Sequence, residues 1–81
     1  MNEDWIVIIL TKKQWNNFIK KYWKKINSRK FCFIRNEYEP ITIVRAWGSE
    51  KEMSDLVMHL QASKASCEID DLYIIDKKGM I

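Results

Sequence analysis

The chain has 81 residues, 47% hydrophobic and 31% charged, with four Trp, three Tyr and three Phe but only two Gly and one Pro. That length makes one small domain over 1–81, burying roughly 60% of its unfolded surface. The composition excludes a flexible linker or low-complexity tract, and no apolar run reaches the roughly 18 residues of a membrane span. The net charge of +3 is unevenly placed: residues 5–36 hold nine basic residues and no acid, whereas 37–81 hold five bases against nine acids.

The opening MNEDWIVIIL is acidic and lacks the basic region and small-residue cleavage site of a signal peptide. Cys32 and Cys67 are therefore expected as reduced thiols acting as small apolar residues in a cytoplasmic protein.

In chain order, WIVIIL at 5–10 is continuously apolar and β-branched, which predicts a central strand. The next segment, 10–27, carries Trp15, Phe18, Ile19, Tyr22, Trp23 and Ile26 at the i, i+3, i+4, i+7, i+8, i+11 spacing of one helical stripe. Thr11 and Gln14 are spaced as a capping box, and Leu10 and Trp15 as a hydrophobic staple. The back of this helix is Lys12, Lys13, Lys20, Lys21, Lys24 and Lys25.

Residues 30–35, KFCFIR, predict a second strand, 36–40 a turn ending at Pro40, and 41–47, ITIVRAW, a third strand paired with the second. Ser49 and Glu52 form another capping box, opening a helix whose stripe is Met53, Leu56, Val57 and Leu60 and fades around 61–66. A fourth strand is best supported at 72–75, with Asp70-Asp71 marking a bulge or a late start. Residues 77–79 are a turn, leaving Met80 and Ile81 as an apolar tail. The order β-α-β-β-α-β is the ferredoxin-like pattern: an α+β fold with a four-stranded antiparallel sheet, both helices on one face, and the first and third strands central.

Strand alternation then divides the side chains. If Leu10 staples onto the first helix, Ile6, Ile8 and Leu10 face the helices, while Trp5, Val7 and Ile9 face away. On the third strand Arg45 and Trp47 suit the core least, so Ile41 and Ile43 join them outside. The same criterion, applied to Arg35, puts Phe31, Phe33 and Arg35 outside and Cys32 and Ile34 inside. Tyr73 and Ile75 face away on the fourth strand. The uncovered face is expected to be broad and aromatic, which calls for an occupant.

No residue set predicts catalysis, a metal or a cofactor. The two cysteines lack neighbours at ligand spacing, and Gly48 and Gly79 are too isolated for a phosphate loop. His59 lies off the helical stripe and reads as solvated. Asp70 and Asp71 are adjacent and would point to opposite faces of a strand. The third strand has no Gly-Phe pair of the kind RNA-recognition sheets carry.

The reading that follows is a small cytoplasmic regulator, of the sort phage and plasmid genomes encode, that inhibits or redirects a larger protein bearing an acidic patch. Trp5, Phe31, Phe33, Arg35, Ile43, Arg45, Trp47 and Tyr73 are its expected contact residues, since Trp, Tyr and Arg are enriched in binding hot spots. Lys12, Lys13, Lys20, Lys21, Lys24 and Lys25 would steer encounter or hold an anion. Partial cover by the Met80-Ile81 tail and a homodimer through the sheet face are the competing occupants. The alternative function is nucleic-acid binding, with lysines on phosphates and sheet aromatics stacking bases.

Overall fold

A computed structural model describes residues 3–25 and 31–80, apart from the side chain of Lys25. The elements are β1 (Glu3–Thr11), α1 (Lys12–Lys25), β2 (Cys32–Tyr38), β3 (Ile41–Ser49), α2 (Glu50–Ala65), β4 (Tyr73–Asp76) and β5 (Gly79–Met80). The chain is α+β, with two helices and one five-stranded antiparallel sheet in the order β2-β3-β1-β4-β5. Of the earlier expectations, Ile26, Lys30 and Ile81 fall outside the described residues, as does the break at Ser28 and Arg29.

β1 earns its central place by composition. Ile6, Ile8 and Leu10 are buried on one face, opposite Ala46, Val44 and Thr42 of β3, and Ile6 and Ile8 are also opposite Asp76 and Ile74 of β4. Both helices pack on that face. α1 contributes Trp15, Phe18 and Tyr22, and α2 contributes Met53, Leu56 and Leu60, all in one cluster with the inward strand residues. The two stripes read from the sequence are therefore the two inner surfaces of the helix layer.

The helix starts follow their caps. Ser49 accepts from the Glu52 N–H at 3.2 Å, and the Glu52 carboxylate accepts from the Ser49 N–H at 3.3 Å, so the second capping box is complete. At α1 the Thr11 hydroxyl accepts from the Gln14 N–H at 3.2 Å. The Gln14 amide is better employed elsewhere. Turned with Nε2 toward the Asp70 carbonyl (3.1 Å) and Oε1 toward the Asp70 N–H (3.0 Å), it clasps the loop before β4, whereas the reverse orientation gains only a 3.5 Å contact with the Thr11 N–H. The first box is half-formed, and its spare amide ties the first turn of α1 to the loop before β4.

α2 runs to Ala65, beyond where its apolar stripe fades. It stops in a Schellman arrangement, with Cys67 N–H donating to the Lys64 carbonyl (3.1 Å) and Glu68 N–H to the Ser63 carbonyl (2.9 Å). Cys67 supplies the left-handed residue at φ 62° and is exposed, as is Cys32, so neither thiol fills the core as expected. Asp71 is also left-handed at φ 46°, a conformation Asp tolerates, and the fourth strand starts late, at Tyr73.

Two expectations about strands need correction. Residues 36–38 are not turn but strand, because β2 runs to Tyr38 opposite Ile41, and the hairpin is closed by Glu39 and Pro40 alone, joined by a cis peptide bond. The tail is not free either: Met80 pairs with Ile75 and Gly79 with Asp76, adding β5 as a fifth strand. The Asp76 carboxylate accepts from the Lys78 N–H at 2.8 Å and so helps to hold the turn between them.

The larger correction is the parity of β2. Phe33 lies opposite Ala46 and Arg35 opposite Val44, both inward positions of β3, while Cys32, Ile34, Asn36 and Tyr38 lie opposite Trp47, Arg45, Ile43 and Ile41. Phe31, Phe33 and Arg35 therefore sit on the helix side, and Ile34 is 54% exposed on the other. The cause is aromatic. Phe33 meets Trp15 edge-on at 5.3 Å, Phe31 lies 5.4 Å from Trp23 and 6.0 Å from Tyr22, and the two phenylalanines are 6.0 Å apart. Arg35 is accommodated because it reaches past the ring cluster, donating to Asn16 Oδ1 (2.7 Å) and pairing with Glu37 (2.6 Å).

This parity predicts opposite outcomes for neighbouring substitutions. Phe33→Ala should lower unfolding free energy by about 2–3 kcal/mol in urea titrations, because it empties a part-buried ring site. Ile34→Ala should change it by less than about 1 kcal/mol. Equal losses would contradict the assigned face of β2.

Candidate functional site

The sheet face turned away from the helices is the most distinctive surface of the molecule. Seven large hydrophobic residues stand exposed among the described residues, and six of them, Trp5, Ile34, Tyr38, Ile41, Tyr73 and Met80, lie on this face. Half-buried Val7, Ile9, Ile43, Trp47 and Ile75 fill the spaces between them. Strand alternation creates the surface: every inward residue that builds the core obliges its neighbours outward, and here those neighbours are also apolar. Monomeric proteins rarely leave so much contiguous apolar surface to water without a use for it.

Of the eight expected contact residues, Trp5, Ile43, Arg45, Trp47 and Tyr73 are brought together on this face. Trp5 is opposite Trp47, Ile9 is opposite both Ile43 and Tyr73, and Val7 is opposite Arg45. Phe31, Phe33 and Arg35 are not part of it, for the reason given above. In their place β2 contributes Cys32, Ile34, Asn36 and Tyr38, and β5 contributes Met80. Tyr38 was missed because its strand was ended at Arg35, and Ile34 because a single arginine decided the strand's parity. The signal for the correct choice was present: Phe31 and Phe33 match the aromatic stripe of α1 better than Cys32 and Ile34 do.

The lysines occupy the other side of the molecule. α1 covers the inward sheet face, so its outer surface is separated from the open face by a helix and a sheet, roughly 10 Å each. Lys12 pairs with Glu37 (3.4 Å) and Lys21 with Glu68 (2.8 Å), so part of the like-charge repulsion read from the sequence is relieved by acids from distant segments. Two strong neighbours, Arg35 and then Lys12, hold the Glu37 carboxyl below its ordinary range. Lys13, Lys20 and Lys24 remain exposed. Lys20, Lys21 and Lys24 line an open groove of about 430 Å³ together with Glu68, which brings an acid into the basic surface.

A polar cluster joins the helices. Tyr22 donates from its hydroxyl to Asp55 Oδ2 at 2.8 Å, and His59 lies edge-on to the Tyr22 ring at 5.2 Å, with Nδ1 2.9 Å from the Asp55 carbonyl. His59 is thus half-buried against an aromatic ring and not solvated as expected. Burial first, then the hydrogen bond and charge of Asp55, push the Tyr22 phenol well above its ordinary pKa. It keeps its proton at neutral pH, so its chemistry here is that of an interhelical tie and not of a nucleophile or base. Among the described residues no group of three or more His, Cys, Asp or Glu is arranged to hold a metal ion, and no helix is long and apolar enough to cross a membrane.

No protein-family model matches the chain, and neither a curated protein nor a solved structure shows significant similarity to it.

The Tyr22 tie carries a pH signature. A phenol whose pKa is raised by folding keeps its proton in the folded chain while the unfolded chain loses it, so stability falls as pH rises above about 10. Tyr22→Phe should cost about 1 kcal/mol at neutral pH through the lost hydrogen bond. Its stability should then decline less steeply than the wild type's from pH 9 to 11 in denaturant titrations. Parallel curves would show that the phenol is not held as described.

Proposed function

We propose that this chain is a small non-catalytic protein-binding regulator, a stoichiometric inhibitor or adaptor, that captures a larger cytoplasmic protein with its open sheet face. The observation that carries this reading is the concentration of exposed Trp, Tyr, Ile and Met side chains on one sheet face, in a fold whose core already lies on the other. Large rigid rings supply contact area at low entropic cost, which suits a binding hot spot. The first four strands and two helices are read as a ferredoxin-like unit, with β5 appended to the β4 edge; the order β2-β3-β1-β4 supports this. Two exposed, unpaired thiols favour a reducing compartment. Lys13, Lys20 and Lys24 steer encounter from a distance, toward partners with net negative charge.

The competing nucleic-acid reading loses support from the arrangement of the layers. It needs phosphates on the lysines and bases on the sheet aromatics, and these lie on opposite sides of the molecule.

Affinity capture from host lysate tests the proposal. A Trp5→Ser/Tyr73→Ser variant should keep its fold, because both residues are exposed, and lose at least about tenfold of the captured partner. Lys20→Glu/Lys24→Glu should slow capture only a few-fold, and more at low salt. Undiminished capture by the sheet variant would overturn the assignment of the face.

A further inference from the structure

Arg45 sets the chemistry of the partner. It is the middle residue of β3, and β3 lies beside β1, the central strand of the five. On the open face its neighbours along the strand are Ile43 and Trp47, and its neighbours across are Val7 and Ile34. An exposed guanidinium therefore stands in an apolar surround near the centre of the patch. Several other cations are answered by the chain's own acids, as in Lys12–Glu37, Lys21–Glu68 and Arg35–Glu37. Arg45 has no such partner among the described residues. Anything that covers the centre of the face must bury this charge, and a buried cation without an anion is strongly unfavourable.

Resting on the reading of this face as a protein-binding surface, we propose that Arg45 reserves it for a partner protein that presents a carboxylate within an apolar surface, and prevents two copies of this chain from stacking face to face. A carboxylate can take two N–H bonds from the guanidinium fork, which also fixes the partner's register. Two copies stacked about a two-fold axis through the face centre would instead bring two guanidinium groups together between closely spaced sheets. Among the described strand residues, alternation places one acid on this face, Glu3 at the margin of β1, and it offers no rescue. It lies four residues along the strand from the level of Arg45, about 13 Å, and a stack slid that far would uncover much of the patch.

Sedimentation of purified protein tests this without the natural partner. The probe is the chain itself with Arg45→Glu, which carries an apolar face with one central carboxylate. Wild type and Arg45→Glu should each sediment at the 9.8 kDa monomer mass at micromolar concentration, and their equimolar mixture should form a species of twice that mass. Arg45→Leu, which removes the charge and suits a strand, should self-associate alone. A wild-type dimer, a mixture that stays monomeric or a monomeric Arg45→Leu would each overturn the proposal. Such a result would leave the capture experiment to decide separately whether the face binds protein at all.

Discussion

The aromatic contact between α1 and β2 is the interaction on which the rest of the architecture depends. Trp15, Phe18, Tyr22 and Trp23 on the helix meet Phe31 and Phe33 beside and within the strand in a continuous chain of ring contacts between 5.3 and 6.4 Å. Ring pairs at these distances add about 0.5–1.5 kcal/mol each beyond the area they bury, a large share of the stability of a domain this small. Once Phe33 points toward α1, two-residue alternation puts Ile34 and Tyr38 on the opposite face. A one-residue slip would bury Cys32 and Ile34 under the helix and expose the rings. The packing of the core and the make-up of the open sheet face are thus one decision.

Much of this was legible in the residues. The period of the α1 and α2 stripes, the Ser49–Glu52 box and the continuous apolar run of β1 all led to elements that the structure contains, and Leu10 gave the facing of β1 correctly. The failures have physical causes. Arg35 looked unsuited to an inward position, but an edge strand extends past the helix that covers it, and a long side chain can bury its stem while its charge reaches Asn16 and Glu37. Met80 looked like a loose tail because two residues carry no periodicity. Pairing with Ile75 depends on a turn in which the Lys78 N–H donates to the Asp76 carboxylate. The tie of Tyr22 to Asp55 joins residues 33 apart and left no local pattern to read.

The division of labour between surfaces follows from the same geometry. α1 is both the aromatic support of the core and the most basic surface, but its lysines are a helix and a sheet away from the exposed rings. That separation exceeds the roughly 8 Å screening length of physiological salt, so in the proposed reading the lysines bias encounter only weakly, most at low salt, and supply no close contacts to a partner seated on the sheet. Under the proposed function, specific contacts would fall to Trp5, Ile34, Tyr73 and their neighbours around Arg45. The acids that answer Lys12 and Lys21 lessen repulsion within the fold and temper the basic face.

The proposed function requires that the helices cover one sheet face and leave the other open. Methyl relaxation in the presence of a soluble gadolinium chelate measures this directly in the intact protein. The methyl groups of Ile34, Ile41 and Met80 should relax strongly, and those of Ile8, Leu56 and Ile74 should be nearly unaffected. Protection of Ile34 together with strong relaxation at the Phe33 ring protons would contradict the account, because it would place the aromatic residues of β2 outside and leave a different face to bind.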